Sequence, residues 1–133
     1  MIRTGLRAVL AACIEGTPFA APMETVPLLL GATQGVPFTV TDAAALPDGR
    51  LVVTAVAENT ADAYNDGACL GSTVALLSAD GKLLAMHEFA TPLKVEGIAV
   101  TPAAGRLELL LVTDADDPVV PSGLYRATIP LPA

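Results

Sequence analysis

A strand–turn–strand unit that occurs twice constrains this chain more than any other feature. Val95–Asp117 reads as two β-strands joined by a tight loop, with an acid at the outer end of each, and Thr41–Glu58 is a looser copy. Gly49-Arg50-Leu51 aligns with Gly105-Arg106-Leu107, and Glu58 and Asp114 each fall eight residues past the matched arginine. Asp42 lies seven residues before Gly49 and Glu96 nine before Gly105. The two-residue difference is assigned to a longer turn in the second unit. Strand pairs that repeat in this way restrict the chain to folds built by stacking similar sheets.

The rest of the sequence agrees with an all-β fold. Eleven Gly and eleven Pro are spread through 133 residues, which favours short strands and turns over long helices. The chain is 53% hydrophobic with 4% aromatic residues and no Trp, so the core must be built from Leu, Val, Ile and Ala. A net charge of −7, with seven Lys and Arg in all, argues against a nucleic-acid partner, which needs a basic patch. The same acidity is compatible with a cation or a cationic ligand. No apolar run approaches the roughly 20 residues that span a bilayer. Cys13 and Cys69 belong to no metal or redox spacing and are read as unpaired.

Taken in order, residues 1–16 admit two readings. Arg3 and Arg7 followed by AVLAACI resemble a short signal peptide. The preferred reading is an amphipathic helix with Ile2, Leu6, Val9, Leu10, Cys13 and Ile14 on one face, stopped by Gly16 and Pro18. With a Pro- and Ala-rich connector this forms an N-terminal segment, 1–22, ahead of a β region, 23–133. Val26–Leu30, Phe38–Leu46, Arg50–Ala57, Ser72–Ser78 and Lys82–Phe89 are expected strands. Pro47-Asp48-Gly49 and Ala79-Asp80-Gly81 supply turns, because Pro presets φ and Gly accepts a positive one. Arg50–Ala57 alternates little, as expected of a strand covered on both faces. Asn59–Gly71 is a long loop. The pattern then restarts with strands at Val95–Thr101, Arg106–Thr113 and Gly123–Ile129. Four-stranded meanders repeating at about 50–60 residues are the signature of β-propeller blades, here units of about 36–90 and 93–131, the second incomplete. Two blades do not close a ring.

The strings TDAAALPDGRLVVTAVAENTADAYNDGACLGS, KVEGIAV and LLLVTDADDPVVPSGLYRA carry a family resemblance. Over roughly residues 26–131 the chain resembles the C-terminal part of an uncharacterised bacterial β-propeller family, more distantly similar to strictosidine-synthase-like and gluconolactonase-like propellers. Lys94–Gly97 and Thr113–Pro118 are its most specific pieces. The resemblance implies a propeller and leaves the activity open. It also implies further blades, so the chain is expected to be a truncated fragment. The alternative is several copies completing a ring, with Val26–Leu30 filling a partner's missing strand.

Four acids are candidate metal ligands on this reading. Asp42 and Glu96 start the innermost strands, and Glu58 and Asp114 end the second strands, so all four are expected on one rim. Converging carboxylates suit a hard cation such as Ca²⁺, or an acid here caps a strand or pairs with Lys94. Their mutual repulsion calls for a cation or an Arg. Asp116 and Asp117 are read as an exposed Asx turn. Lys94 and Tyr64 are candidate substrate contacts, and His87, on an outer strand without a GxSxG context, is read as a surface residue. The expected function is a metal-dependent hydrolase of the lactonase or esterase type, acting at a central channel on a small molecule. A non-enzymatic ligand- or protein-binding propeller and a non-functional fragment are the alternatives.

Overall fold

A computed structural model describes residues 1–20, 22–60 and 67–132. It is mostly β, with a single short helix among the described residues. The elements in order are β1 (Ile2–Arg3), α1 (Leu6–Glu15), β2 (Glu24–Thr25), β3 (Ala32–Thr33), β4 (Val36–Pro37), β5 (Thr39–Ala45), β6 (Leu51–Asn59), β7 (Ala68–Leu77), β8 (Leu83–Glu88), β9 (Val95–Ala103), β10 (Arg106–Thr113) and β11 (Leu124–Pro130). They form a four-stranded sheet β5-β6-β7-β8, a three-stranded sheet β9-β10-β11, and two small ribbons, β1-β2 and β3-β4. All pairings are antiparallel, and none of these sheets closes on itself. Among the described residues no helix is long and apolar enough to cross a membrane.

The seven long strands follow from the hydrophobic pattern. In β6, Val52 through Ala57 are all buried, the two-sided cover expected from its lack of alternation. In β10 burial alternates strictly: Leu107, Leu109 and Leu111 point inward, and Glu108, Leu110 and Val112 outward. The inward leucines meet Val52, Val74 and Leu76 of the larger sheet, with Leu46, Val95 and Ile129 closing the cluster. A second cluster lies on the far face of that sheet, where Leu30 and Phe38 cover Val53, Ala55, Ala57, Ala75 and Leu77. Three buried polar side chains are satisfied within this packing. Ser72 Oγ accepts from the Leu93 N–H, Thr73 donates to the His87 carbonyl, and Thr54 meets Thr41.

Several expectations are corrected. Val26–Leu30 is not a strand: Val26 exchanges backbone bonds with Met1, and the paired residues just before it are Glu24–Thr25. The segment lies instead along the Ala79–Gly81 hairpin of its own chain, where Val26 and Leu28 press on Gly81. Ile2 is not on the helix. It pairs with Thr25, and α1 begins at Leu6, ending at Gly16 in the left-handed conformation that glycine adopts freely. Leu6, Leu10 and Ile14 are exposed, so the apolar stripe read from the sequence is present and uncovered among the described residues. β7 starts four residues before Ser72, because pairing with β6 continues to Asn59↔Ala68.

The second turn is shorter than the first, the reverse of the sequence alignment. Ala103 pairs with Arg106, so Ala104-Gly105 is a two-residue turn with Gly105 at φ 69. Ala45 pairs with Leu51, so five residues make the first turn, with Gly49 at φ 86. Pro102 misleads the reading: it sits on edge strand β9 and is carried within it.

Candidate functional site

The two larger sheets meet along their first strands, β5 and β9, and polar bonds fasten the seam. Thr41 Oγ1 donates to the Val95 carbonyl at 2.6 Å. That commits its one proton, so Thr54 is the donor in the 3.0 Å contact between the two hydroxyls. Asp42 spans the seam next to it. Its Oδ2 accepts from the Ile98 N–H at 2.9 Å and its Oδ1 from the Ala43 N–H at 2.8 Å. Each first strand carries a register shift, at Thr41 in β5 and at Glu96 in β9. An extra residue of this kind bends the strand and re-aims a side chain.

The register separates the first expected pair. Asp42 pairs with Thr54, three residues beyond Leu51, whereas Glu96 sits between the partners of Val112 and Thr113, five and six beyond Leu107. Asp42 is therefore deeper along its strand than Glu96. Both of its oxygens serve the backbone, so it acts as a staple between sheets. Glu58 and Asp114, by contrast, do return to the end where β9 begins. Asp114 donates its backbone N–H to the Lys94 carbonyl, and Glu58 lies at the end of β6 beside the same lysine.

Lys94 is the centre of this rim. Its Nζ lies 3.1 Å from Glu58 Oε1 and contacts Asp116 Oδ2 more closely still. The side chains are only 16% and 20% exposed for Lys94 and Glu58, so water screens this pair little. Glu58 Oε1 is buried and makes no hydrogen bond among the described residues, so the ion pair with Lys94 is what compensates its charge. Burial pulls the Lys94 pKa down, but the carboxylates of Asp116 and Glu58 beside it outweigh that and hold the ammonium well above its usual range. Lys94 thus supplies a positive charge between the rim carboxylates of Glu58 and Asp116.

Glu96 is the acid on which burial acts most clearly. Burial pushes its carboxyl above the usual 4.5; Lys94 opposes the shift, and Glu58, Asp116 and Asp114 add to it. A raised pKa means that the fold favours the protonated form. The resulting contribution to stability is full at acid pH and is lost as pH rises through the folded value. Glu96→Gln is accordingly expected to melt at a higher temperature than the parent at neutral pH, with the difference vanishing below pH 4. Thermal melts across that window check the sign.

Two clefts open beside Lys94. One, of about 490 Å³, is lined by Thr39, Thr41, Val56, Glu58, Thr60 and Glu96. The other, of about 420 Å³, is lined by Cys69, Thr113, Asp114, Asp116 and Tyr125 among others. Cys69 is free and its thiol is pushed up by burial, so it is a packed group facing the rim and not an activated nucleophile. His87 lies on β8 opposite Val74, three strands away from β5. Asp117 caps a turn through the Val119 N–H, as the Asx reading expects, whereas Asp116 leaves that turn for Lys94. Tyr64 lies outside the described residues. Among those residues no three acids, histidines or cysteines converge in the manner of metal ligands.

Sequence reasoning missed Thr41 and the role of Asp116. Thr41 could have been found only from the register shift, which no composition signal marks. Asp116 had a usable signal: Lys94 is one of two lysines in the chain and the acids of 114–117 belong to the loop that returns beside it.

A family model described as a family of unknown function (DUF6910) matches residues 1–118. No curated protein and no solved structure matches the chain.

Proposed function

The chain belongs to this family of unknown function, and we propose that its two larger sheets are consecutive blades of a β-propeller whose shared rim binds a small organic cation. The head-to-tail arrangement supports the blade reading. One face of the first sheet (Val52, Val74, Leu76) packs on the opposite-parity face of the second (Leu107, Leu109, Leu111), with the first strands side by side. A single observation carries the binding reading: Glu58, Glu96, Asp114 and Asp116 surround one lysine, leaving an acid excess beside an open 490 Å³ cleft. Val56 and the pyrrolidine of Pro37 offer the apolar surface that an alkylammonium needs, and Thr39, Thr41 and Thr60 offer hydroxyl acceptors.

Calorimetric titration with primary and quaternary alkylammonium compounds tests this. Binding is expected in the micromolar to millimolar range, weakened by salt and lost in Glu96→Gln. The reading is refuted if no compound releases heat, or if Glu96→Gln binds as the parent does.

The same acid excess favours a second reading, a calcium-assisted lactonase or esterase in which the rim carboxylates hold Ca²⁺ and polarise a carbonyl. Lys94 stands against it, because its ammonium takes the place between Glu58 and Asp116 that a divalent ion would need. Millimolar Ca²⁺ is therefore expected to leave the melting temperature of the parent protein unchanged within about 1 °C. A rise of several degrees would restore the calcium reading over the organic cation.

A further inference from the structure

We infer that the β10–β11 connection, Asp114–Ser122, is a lid over the cleft of Cys69 and Tyr125, latched down by Asp116 on Lys94. No buried side chain holds this segment in place: every residue from Asp114 to Ser122 is exposed, Val119 at 84%. The segment is instead bonded within itself. Asp114 Oδ1 accepts from the Asp116 N–H at 3.0 Å, and Asp117 accepts at Oδ1 from Val119 and at its carbonyl from Val120. Two bonds close the neck, one from the Thr113 N–H to the Gly123 carbonyl and one from the Gly123 N–H to Thr113 Oγ1. A compact loop joined at its ends in this way moves as one body about its neck.

Among the described residues, the bonds that lead out of this loop go to Lys94. The Asp114 N–H donates to the Lys94 carbonyl at 3.0 Å and fixes the base of the loop. Asp116 reaches the Lys94 ammonium from further out and so holds the body of the loop down. It does so from the left-handed region, at φ 51, which Asp enters more readily than most residues. Ala115, Asp116 and Val120 of the loop line the 420 Å³ cleft together with Cys69, Leu93 and Tyr125, so swinging the loop away uncovers the Cys69 thiol. The latch is also shared. The same ammonium lies 3.1 Å from Glu58 Oε1, and Lys94 lines both clefts. Glu58 and Asp116 therefore compete for one charge, so neutralising Glu58 tightens the lid and neutralising Asp116 frees it. The lid does not rest on the cation reading, and its test uses no ligand.

Alkylation of Cys69 by iodoacetamide reports the opening, with Cys13→Ser removing the other thiol from exposed α1. The rate is fitted across pH to its plateau, where the thiolate is fully formed and a changed thiol pKa drops out. The Lys94 ammonium is held well above its usual range, so the latch survives those conditions. Asp116→Asn tolerates the left-handed turn and loses only the charge, and it should raise the plateau about fivefold. Glu58→Gln should lower the plateau about twofold, because the ammonium then belongs to Asp116 alone. The opposite signs decide the matter, since a substitution that merely loosens the rim speeds alkylation in both. Raising NaCl to about 1 M should act on the parent as Asp116→Asn does, more weakly. An unchanged plateau in Asp116→Asn overturns the inference, as does a Glu58→Gln chain that alkylates faster than the parent. So does an Asp116→Asn increase matched by equally faster exchange of the β6 and β7 amides, the sign of global opening.

Discussion

Replacing Lys94 with Met is expected to cost about 2–3 kcal/mol of stability, somewhat below the cost of orphaning a fully buried charge. For a chain of this size that lowers the melting temperature by roughly 5–12 °C. Methionine keeps the unbranched stem in place and removes only the ammonium. What remains is Glu58, four-fifths buried, beside Asp116 and Glu96 with no cation between them. Two further measurements separate this cause from lost packing. Glu58→Gln in the Lys94→Met background should regain about 1–2 kcal/mol, because the charge left stranded is then gone. Calcium should stabilise Lys94→Met more than the parent, since the carboxylates are freed for it. A double variant no more stable than Lys94→Met alone would mean that the lysine acts through its stem.

Asp42→Ala is the second large effect, expected at about 2 kcal/mol, with both carboxylate bonds lost and the Ile98 N–H left without its acceptor at a partly buried seam. Asp42→Asn should lose about half as much, because its one carbonyl oxygen can still accept from a single N–H. The loss should also be local in character. Amides of Ile98 and its neighbours in β9 are expected to exchange faster, while those of β6 and β7, held by their own ladder, keep their protection. Uniform loss of protection in both sheets would show that Asp42 acts on global stability and not as a staple between them.

These residues also show what a single sequence exposes. The strands of both units, the two-sided burial of β6 and the hairpins at Gly49, Gly81 and Gly105 were all legible, since each rests on local periodicity or turn chemistry. The return of Glu58 and Asp114 to the end where β9 begins was legible too, from connectivity alone. Two things were not. Asp42 and Glu96 were equated by counting residues back from a matched glycine, and a count cannot register an extra residue inside a strand or the different lengths of two turns. The region of Val26–Leu30 read as a strand because it is apolar. It is apolar because Leu30 covers the far face of the first sheet, a tertiary demand that looks the same in sequence.

The extra residues at Thr41 and Glu96 have an effect on variation as well as on shape. In an uninterrupted strand the side chain's face is fixed by odd or even position, so every single-residue insertion or deletion exchanges core and solvent along the whole strand. A strand that already holds one unpaired residue is divided into two phases. In β9, Val95 pairs with Thr113 on one side of the break and Gly97–Ala103 with Val112–Arg106 on the other, and a length change absorbed at Glu96 leaves both runs in frame. The rim can thus lose, gain or reposition a charged residue while Asp42, Ile98 and the leucines behind them keep their partners. Among relatives of this chain, length differences should therefore collect at the mouths of β5 and β9, where a change in ligand would be made.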